Sequence, residues 1–139
     1  MPATLPPADL AAERALLSEV LTHGDACPPA VWTLKPSDWY DPRHADAWTA
    51  LLAARSRWQS PTVAALPDAL LVYACGLAFD PGWPLRRLPT LARRIRRHAA
   101  TRRLLDHAHK LLVAGYDGDL AAVRDHHTAI GAALGVANA

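Results

Sequence analysis

The run from Leu88 to Gly115, LPTLARRIRRHAATRRLLDHAHKLLVAG, contains no Gly or Pro between Pro89 and Gly115. Proline is tolerated in the first turn of a helix and glycine suits a C-terminal stop, so the stretch predicts one long helix. Its apolar face does not stay on one side. Counting about 100° per residue from Leu91, Leu88, Leu91, Ile95 and Ala99 cluster near roughly 50°, whereas Leu104, Leu105, Ala108, Leu111 and Leu112 cluster near roughly 260°. The two halves must bury against different things. Arg93, Arg94 and Arg97 occupy, in the first half, the side that turns apolar in the second. The helix reads as a bridge that leaves a globular head and enters a helical hairpin.

The second hairpin helix follows at once. Tyr116 to Asp119, YDGD, has turn chemistry, and Asp119 can accept from the free N–H groups of the next helix as its N-cap. Leu120, Val123, His127, Ile130 and Leu134 then recur at alternating spacings of three and four, the seam of a helix lying along another helix. Both stripes are thin and Ala-rich, and an isolated pair of this kind is marginal in water. The hairpin therefore either docks on the head or meets another hairpin, and the second option predicts a homodimer or higher oligomer. Leu104, Leu105, Leu111, Leu112, Leu120, Val123, Ile130 and Leu134 are the candidate self-association or docking residues.

With 139 residues, half of them apolar but many of those Ala, and few Gly, the composition favours a single all-α domain. A head spanning about 8–86 and a hairpin spanning about 88–135 are expected. The net charge of +2 hides an asymmetry: Arg86 to Arg103 holds eight Arg and no acid. Such a run is most often a solvated face, yet Arg93, Arg94, Arg96 and Arg97 are also candidates for contact with nucleic acid or another acidic partner. Cys27 and Cys75 show no pairing signal and no signal peptide is evident, which reads as a reduced, cytoplasmic chain. No apolar run approaches the ~18 residues of a membrane span.

Along the head, a Pro-rich arm leads to a helix begun at Asp9 or Ala8, with Leu10, Leu16, Leu17, Val20 and Leu21 on its apolar face. Glu13 there complements the positive helix end, and Gly24 closes the helix. CPPAVWTLKPSDWYDP has too many prolines for more than single turns; Val31, Trp32, Leu34, Trp39 and Tyr40 should press it onto the first helix. Asp41-Pro42 starts another helix carrying Trp48, Leu51, Leu52 and Arg55 on one side. Thr62 to about Leu70 is expected as a short helix with Pro67 near an end. LLVYACGLAF, apolar all round, is expected at the centre of the core, and DPGWP as a loop.

Chemistry is scarce. No glycine is followed by Lys as a P-loop requires, and no G-x-S-x-G, H-E-x-x-H or C-x-x-C motif occurs. His107 with His109, and His126 with His127, diverge within their own helices; one from each helix can meet across the hairpin, but without carboxylates around them a metal site is not expected. Asp38, Asp41 and Asp46 flank helix starts, where capping accounts for them. No catalysis, cofactor or metal is expected.

The order of pieces resembles the N-terminal collar domain of DnaB-type replicative DNA helicases. LPPADLAAERALLSEVL carries Ala12, Glu13, Leu16 and Leu17 of the family's A-E-x-x-L-L pattern. LKPSDWYDPRH matches L-x-x-x-D-F-Y-x-x-x-H through Leu34, Asp38, Tyr40 and His44, with Trp39 where Phe is usual. Tyr73, and Arg102 with Leu104 ahead of the hairpin turn, continue the register. The chain departs from the pattern at Ala47, at PTVAAL, which lacks the usual Asp, and by about ten missing residues before Tyr73. The resemblance implies an all-α fold, a globular head of about five short helices followed by a long-helix antiparallel hairpin, in which hairpins of several copies build a collar that receives primase or loader. The RecA-like ATPase domain of such helicases is not among these residues, so no motor is implied. Three functions remain open: a non-catalytic oligomerisation and docking module of DNA replication, a nucleic-acid-binding protein using the basic helix, or a regulator competing for helicase and primase docking sites.

Overall fold

The computed structural model describes residues 6–77 and 82–139. The elements are α1 (Leu10–His23), α2 (Pro42–Ser56), α3 (Asp68–Leu77), α4 (Leu88–Asp117) and α5 (Leu120–Ala137), with five short 3-10 segments and no strand among the described residues. Two compact units result: Asp9–Ile95, and Arg96–Ala139 together with Pro6 to Ala8. Most of the N-terminal arm, and Ala78 to Pro81 of the expected core run and loop, lie outside the described residues.

In the head, helix ends fall where side chains cap them. Asp9 accepts from Ala12 N–H at 2.9 Å to start α1, and Asp41 accepts from Arg43 N–H at 2.9 Å ahead of Pro42 to start α2. Between them the prolines allow only 3-10 turns, at Pro29–Thr33 and Pro36–Asp38. These turns carry Val31, Trp32, Leu34 and Trp39 into the core beside Leu16, Leu17 and Val20 of α1. Trp48 of α2 is the hub. Its ring stacks on Trp32 at 5.2 Å and lies 5.1 Å from Trp39, and its indole N–H donates to Leu34 O at 2.9 Å. The start of α4 closes this core with Leu88, Leu91, Ala92 and Ile95.

Several expectations are corrected. Leu10 is exposed, because it sits in the first helical turn beyond the buried α1 stripe. The helix expected over Thr62 to Leu70 is instead a 3-10 turn at Val63–Ala65, and α3 begins only after Pro67, whose carbonyl accepts from Leu70 N–H at 2.9 Å. The described part of LLVYACGLAF is not the core centre: only Ala74 and Leu77 of α3 are buried, and Val72 is 88% exposed. Helical periodicity presents one face to the core, and Val72 on the other face is left exposed among the described residues. The short expected helices of the head resolve into three α-helices and single turns, since proline breaks the backbone ladder wherever it recurs.

α4 is 30 residues long and runs on past Gly115, which is an ordinary helical residue. The stop is Gly118, at φ +73°: its N–H bonds Gly115 O at 3.2 Å, Asp119 N–H bonds Ala114 O at 2.9 Å, and only a left-handed residue between them allows both. Asp119 then accepts from Ala122 N–H at 3.0 Å and starts α5, as its sequence position predicts.

Candidate functional site

Two parts of the molecule bear on function, one internal and one on the hairpin surface. The internal one is built from polar residues of α1 that the helical pattern places on its buried face. Glu13 is buried, not a surface complement to the helix end. Its carboxylate accepts from Tyr40 N–H at 2.6 Å and Asp41 N–H at 3.3 Å, and lies 2.7 Å from His44 Nδ1. His44 Nε2 is 2.7 Å from the Tyr73 hydroxyl, and the two rings stack at 5.8 Å. The Nδ1–H tautomer of His44 satisfies all of these groups at once. Burial pushes the Tyr73 hydroxyl above its ordinary value, so it stays a donor at neutral pH.

The edge of this cluster is wet and charged. Arg43 grips Asp41 with Nε and a terminal nitrogen, at 3.1 and 2.7 Å, and its guanidinium lies 3.9 Å over the Tyr73 ring. That fork holds the Asp41 carboxyl below its ordinary value. Glu19, six residues after Glu13, repeats the device: it accepts from Trp83 N–H at 2.7 Å and lies 3.2 Å from His23 Nε2. Ser18 donates to Leu77 O at 2.6 Å and fixes the end of α3. Glu13, 1% exposed and holding three donors, is a structural anchor. The helical period puts Glu13 three, four and seven residues before Leu16, Leu17 and Val20, on the same buried face, and that spacing was the signal that its first-turn position obscured. Of the other two aspartates, Asp38 accepts from Lys35 N–H at 2.8 Å, and Asp46 lies exposed within α2.

The surface part is the hairpin. Along its line of contact α4 offers Ala100, His107 and Ala114 and α5 offers His126, Ala129 and Ala133, a line one residue away from the expected Leu120–Leu134 seam. His107 Nδ1 and His126 Nδ1 meet at 3.1 Å, where one ring donates and the other accepts. No group of three or more metal-ligating side chains occurs among the described residues.

Leu105 (51% exposed) and Leu112 (58%) sit about 140° past the contact line of α4, and Leu120 (69%) and Leu134 (45%) about 130° past that of α5. On antiparallel helices, turning in the same sense from the contact line leads to the same side. Leu104, Leu111, Val123 and Ile130 lie half-buried between these rows. All eight candidate association residues therefore fall on one side of the hairpin. Beyond the contact line on the other side, Arg103, Ala132 and Val136 join Ala100, His107, Ala129 and Ala133 in lining a groove.

The basic run is distributed differently. Arg94 is ion-paired with Asp9, Arg97 Nε donates to Ala137 O at 3.1 Å, Arg93 is exposed and Arg96 half-buried. No helix of the described chain is long and apolar enough to cross a membrane.

Residues 5–72 match the family model of the DnaB-like helicase N-terminal domain. Among solved structures, the crystal structure of the N-terminal domain of DnaB helicase from Mycobacterium tuberculosis is similar, with a TM-score of 0.78 and 24% identity over 91% of this chain and 99% of that one. No curated protein matches. The motif residues Glu13, Tyr40, His44 and Tyr73, scattered over sixty positions, are the ones that meet in the buried cluster.

Proposed function

This chain belongs to the DnaB-like helicase N-terminal domain family, and from that premise we propose that it is a non-catalytic assembly and docking module of DNA replication. One observation carries the reading: a row of leucines, Leu105, Leu112, Leu120 and Leu134, lies 45–69% exposed on one side of a two-helix hairpin. A contiguous apolar patch of this kind marks an interaction surface. Its occupant is a second copy, because the same antiparallel hairpin turned about a two-fold axis presents a matching row. The assembled collar then offers its heads to the replicative helicase, to primase or to a loader. Sedimentation equilibrium of the wild-type chain and of Leu105→Glu with Leu134→Glu tests the self-association: wild type associates at tens of micromolar, the variant is monomeric, and a monomeric wild type defeats the reading. A pull-down against helicase, primase and loader then separates docking from mere assembly.

Nucleic-acid contact through Arg93, Arg94, Arg96 and Arg97 stands behind this reading, because Arg94 and Arg97 already have intramolecular partners. A phosphate-binding face would show affinity falling steeply with salt. The regulator reading, competition for helicase or primase sites, uses the same hairpin and differs only in which partner the pull-down retains.

A further inference from the structure

Two aromatic side chains stand almost wholly in water, Trp58 at 98% and Tyr116 at 91% exposed. Trp58 follows α2 in the same hydrogen-bond pattern that Gly118 makes after α4. Trp58 N–H bonds Arg55 O at 3.1 Å and Gln59 N–H bonds Ala54 O at 2.9 Å, with Trp58 at φ +58° between them. Glycine fits that backbone; an indole there is strained, and it gains nothing from burial within the head. Two penalties at one residue point to a partner.

The indole borders a cleft of about 530 Å³ lined also by Asp25, Leu52, Arg55 and Ser56. Asp25 holds Arg55 at 3.2 Å, and the Arg55 guanidinium lies 4.8 Å over the Trp32 ring. Arg57, exposed at the same helix end, has no ion pair among the described residues. The cleft thus has one apolar wall, Leu52 and Trp58, and one cation in its lining, Arg55, with Arg57 exposed next to Trp58 in the chain. The hairpin turn, Tyr116 to Leu120, has the complementary make-up. Tyr116 and Leu120 are its exposed apolar ends, with Asp117 and Asp119 exposed between them. Asp119 caps α5 through Oδ1 alone, so Oδ2 is available to a partner.

We propose that the hairpin tip of one copy docks in the Trp58 cleft of a second copy, Tyr116 packing on Trp58 and Leu52 while Asp117 and Asp119 face Arg57 and Arg55. A single strand of nucleic acid fits less well, since two arginines with Asp25 beside them make no cationic track for a phosphate backbone. The contact joins two different surfaces, so it propagates around a ring or along an open chain, unlike a hairpin pairing with its own kind. Of the leucine face it shares only Leu120, and it stands without Leu105, Leu112 and Leu134.

The test uses the full chain carrying Leu105→Glu and Leu134→Glu, so that hairpin pairing does not contribute. With rising protein concentration the indole N–H resonance of Trp58, assigned by its loss in Trp58→Gly, shifts and saturates. Arg57→Asp or Asp117→Arg alone weakens association at least tenfold, and mixing the two variants restores it in 1:1 complexes. Trp58→Gly raises the melting temperature and removes the association, a combination that misfolding cannot produce. A Trp58 resonance unmoved up to millimolar protein, charge variants that do not rescue each other, or a shift produced only by a dT15 oligonucleotide overturns the proposal.

Discussion

Glu13 Oε2 lies 2.7 Å from His44 Nδ1 with both side chains buried, so the first turns of α1 and α2 are joined by a polar bond inside a largely apolar core. The same carboxylate holds the backbone N–H groups of Tyr40 and Asp41, which fixes where α2 starts.

Removing that carboxylate leaves three donors unpaired. Glu13→Ala should destabilise the chain by about 3–5 kcal/mol, the range for a broken buried pair. Glu13→Gln keeps the shape and some of the bonds and should lose about 1–3 kcal/mol. Denaturant unfolding of both variants checks the order; equal losses would show that the void, not the hydrogen bonding, matters.

Asp41 gives a pH signature. Its folded carboxyl is held below the ordinary value of 3.8, mainly by the Arg43 fork. A depressed carboxylate contributes stability that is present above the unfolded value and is lost as pH falls through the folded one. Asp41→Asn should therefore be less stable than wild type at pH 7, and the difference should shrink progressively below about pH 4. Thermal melts across pH 2–7 read it directly.

The three core tryptophans differ in one atom's fate. Trp48 donates its indole N–H to Leu34 O, whereas the buried indole nitrogens of Trp32 and Trp39 have no partner among the described residues. An unpaired buried donor costs about 1–3 kcal/mol, which offsets part of the packing that the larger ring contributes. Trp39→Phe should then change stability by no more than about 1 kcal/mol, while Trp48→Phe, which orphans the Leu34 carbonyl and opens a cavity, should cost at least about 2 kcal/mol more. Similar losses for the two would refute this account.

On the hairpin, Leu105→Glu with Leu134→Glu replaces side chains already half in water. The unfolding free energy of the isolated chain should move by no more than about 1 kcal/mol, because surface changes away from buried features are small. Self-association should be lost. A large fall in stability would mean that the leucines serve the hairpin itself.

The sequence by itself determined the long helix, its change of apolar side, and the Asp9, Asp41 and Asp119 caps. These are local properties: periodicity, proline and glycine conformation, and capping act within a few residues. What it left undetermined depends on distant neighbours. LLVYACGLAF is as apolar as a core segment, yet α3 exposes Val72, because burial is decided by what lies opposite and not by a residue's own hydropathy. Gly115 reads as the end of α4, yet the helix runs on to Asp117 and the backbone hydrogen bonds place the stop at Gly118. Glu13 reads as a surface acid from its position in the first turns of α1. Only the tertiary structure, by bringing Tyr40, Asp41 and His44 within hydrogen-bond reach, turned it into a buried acceptor, since a buried charge is tolerated only where donors converge on it from separate segments of chain.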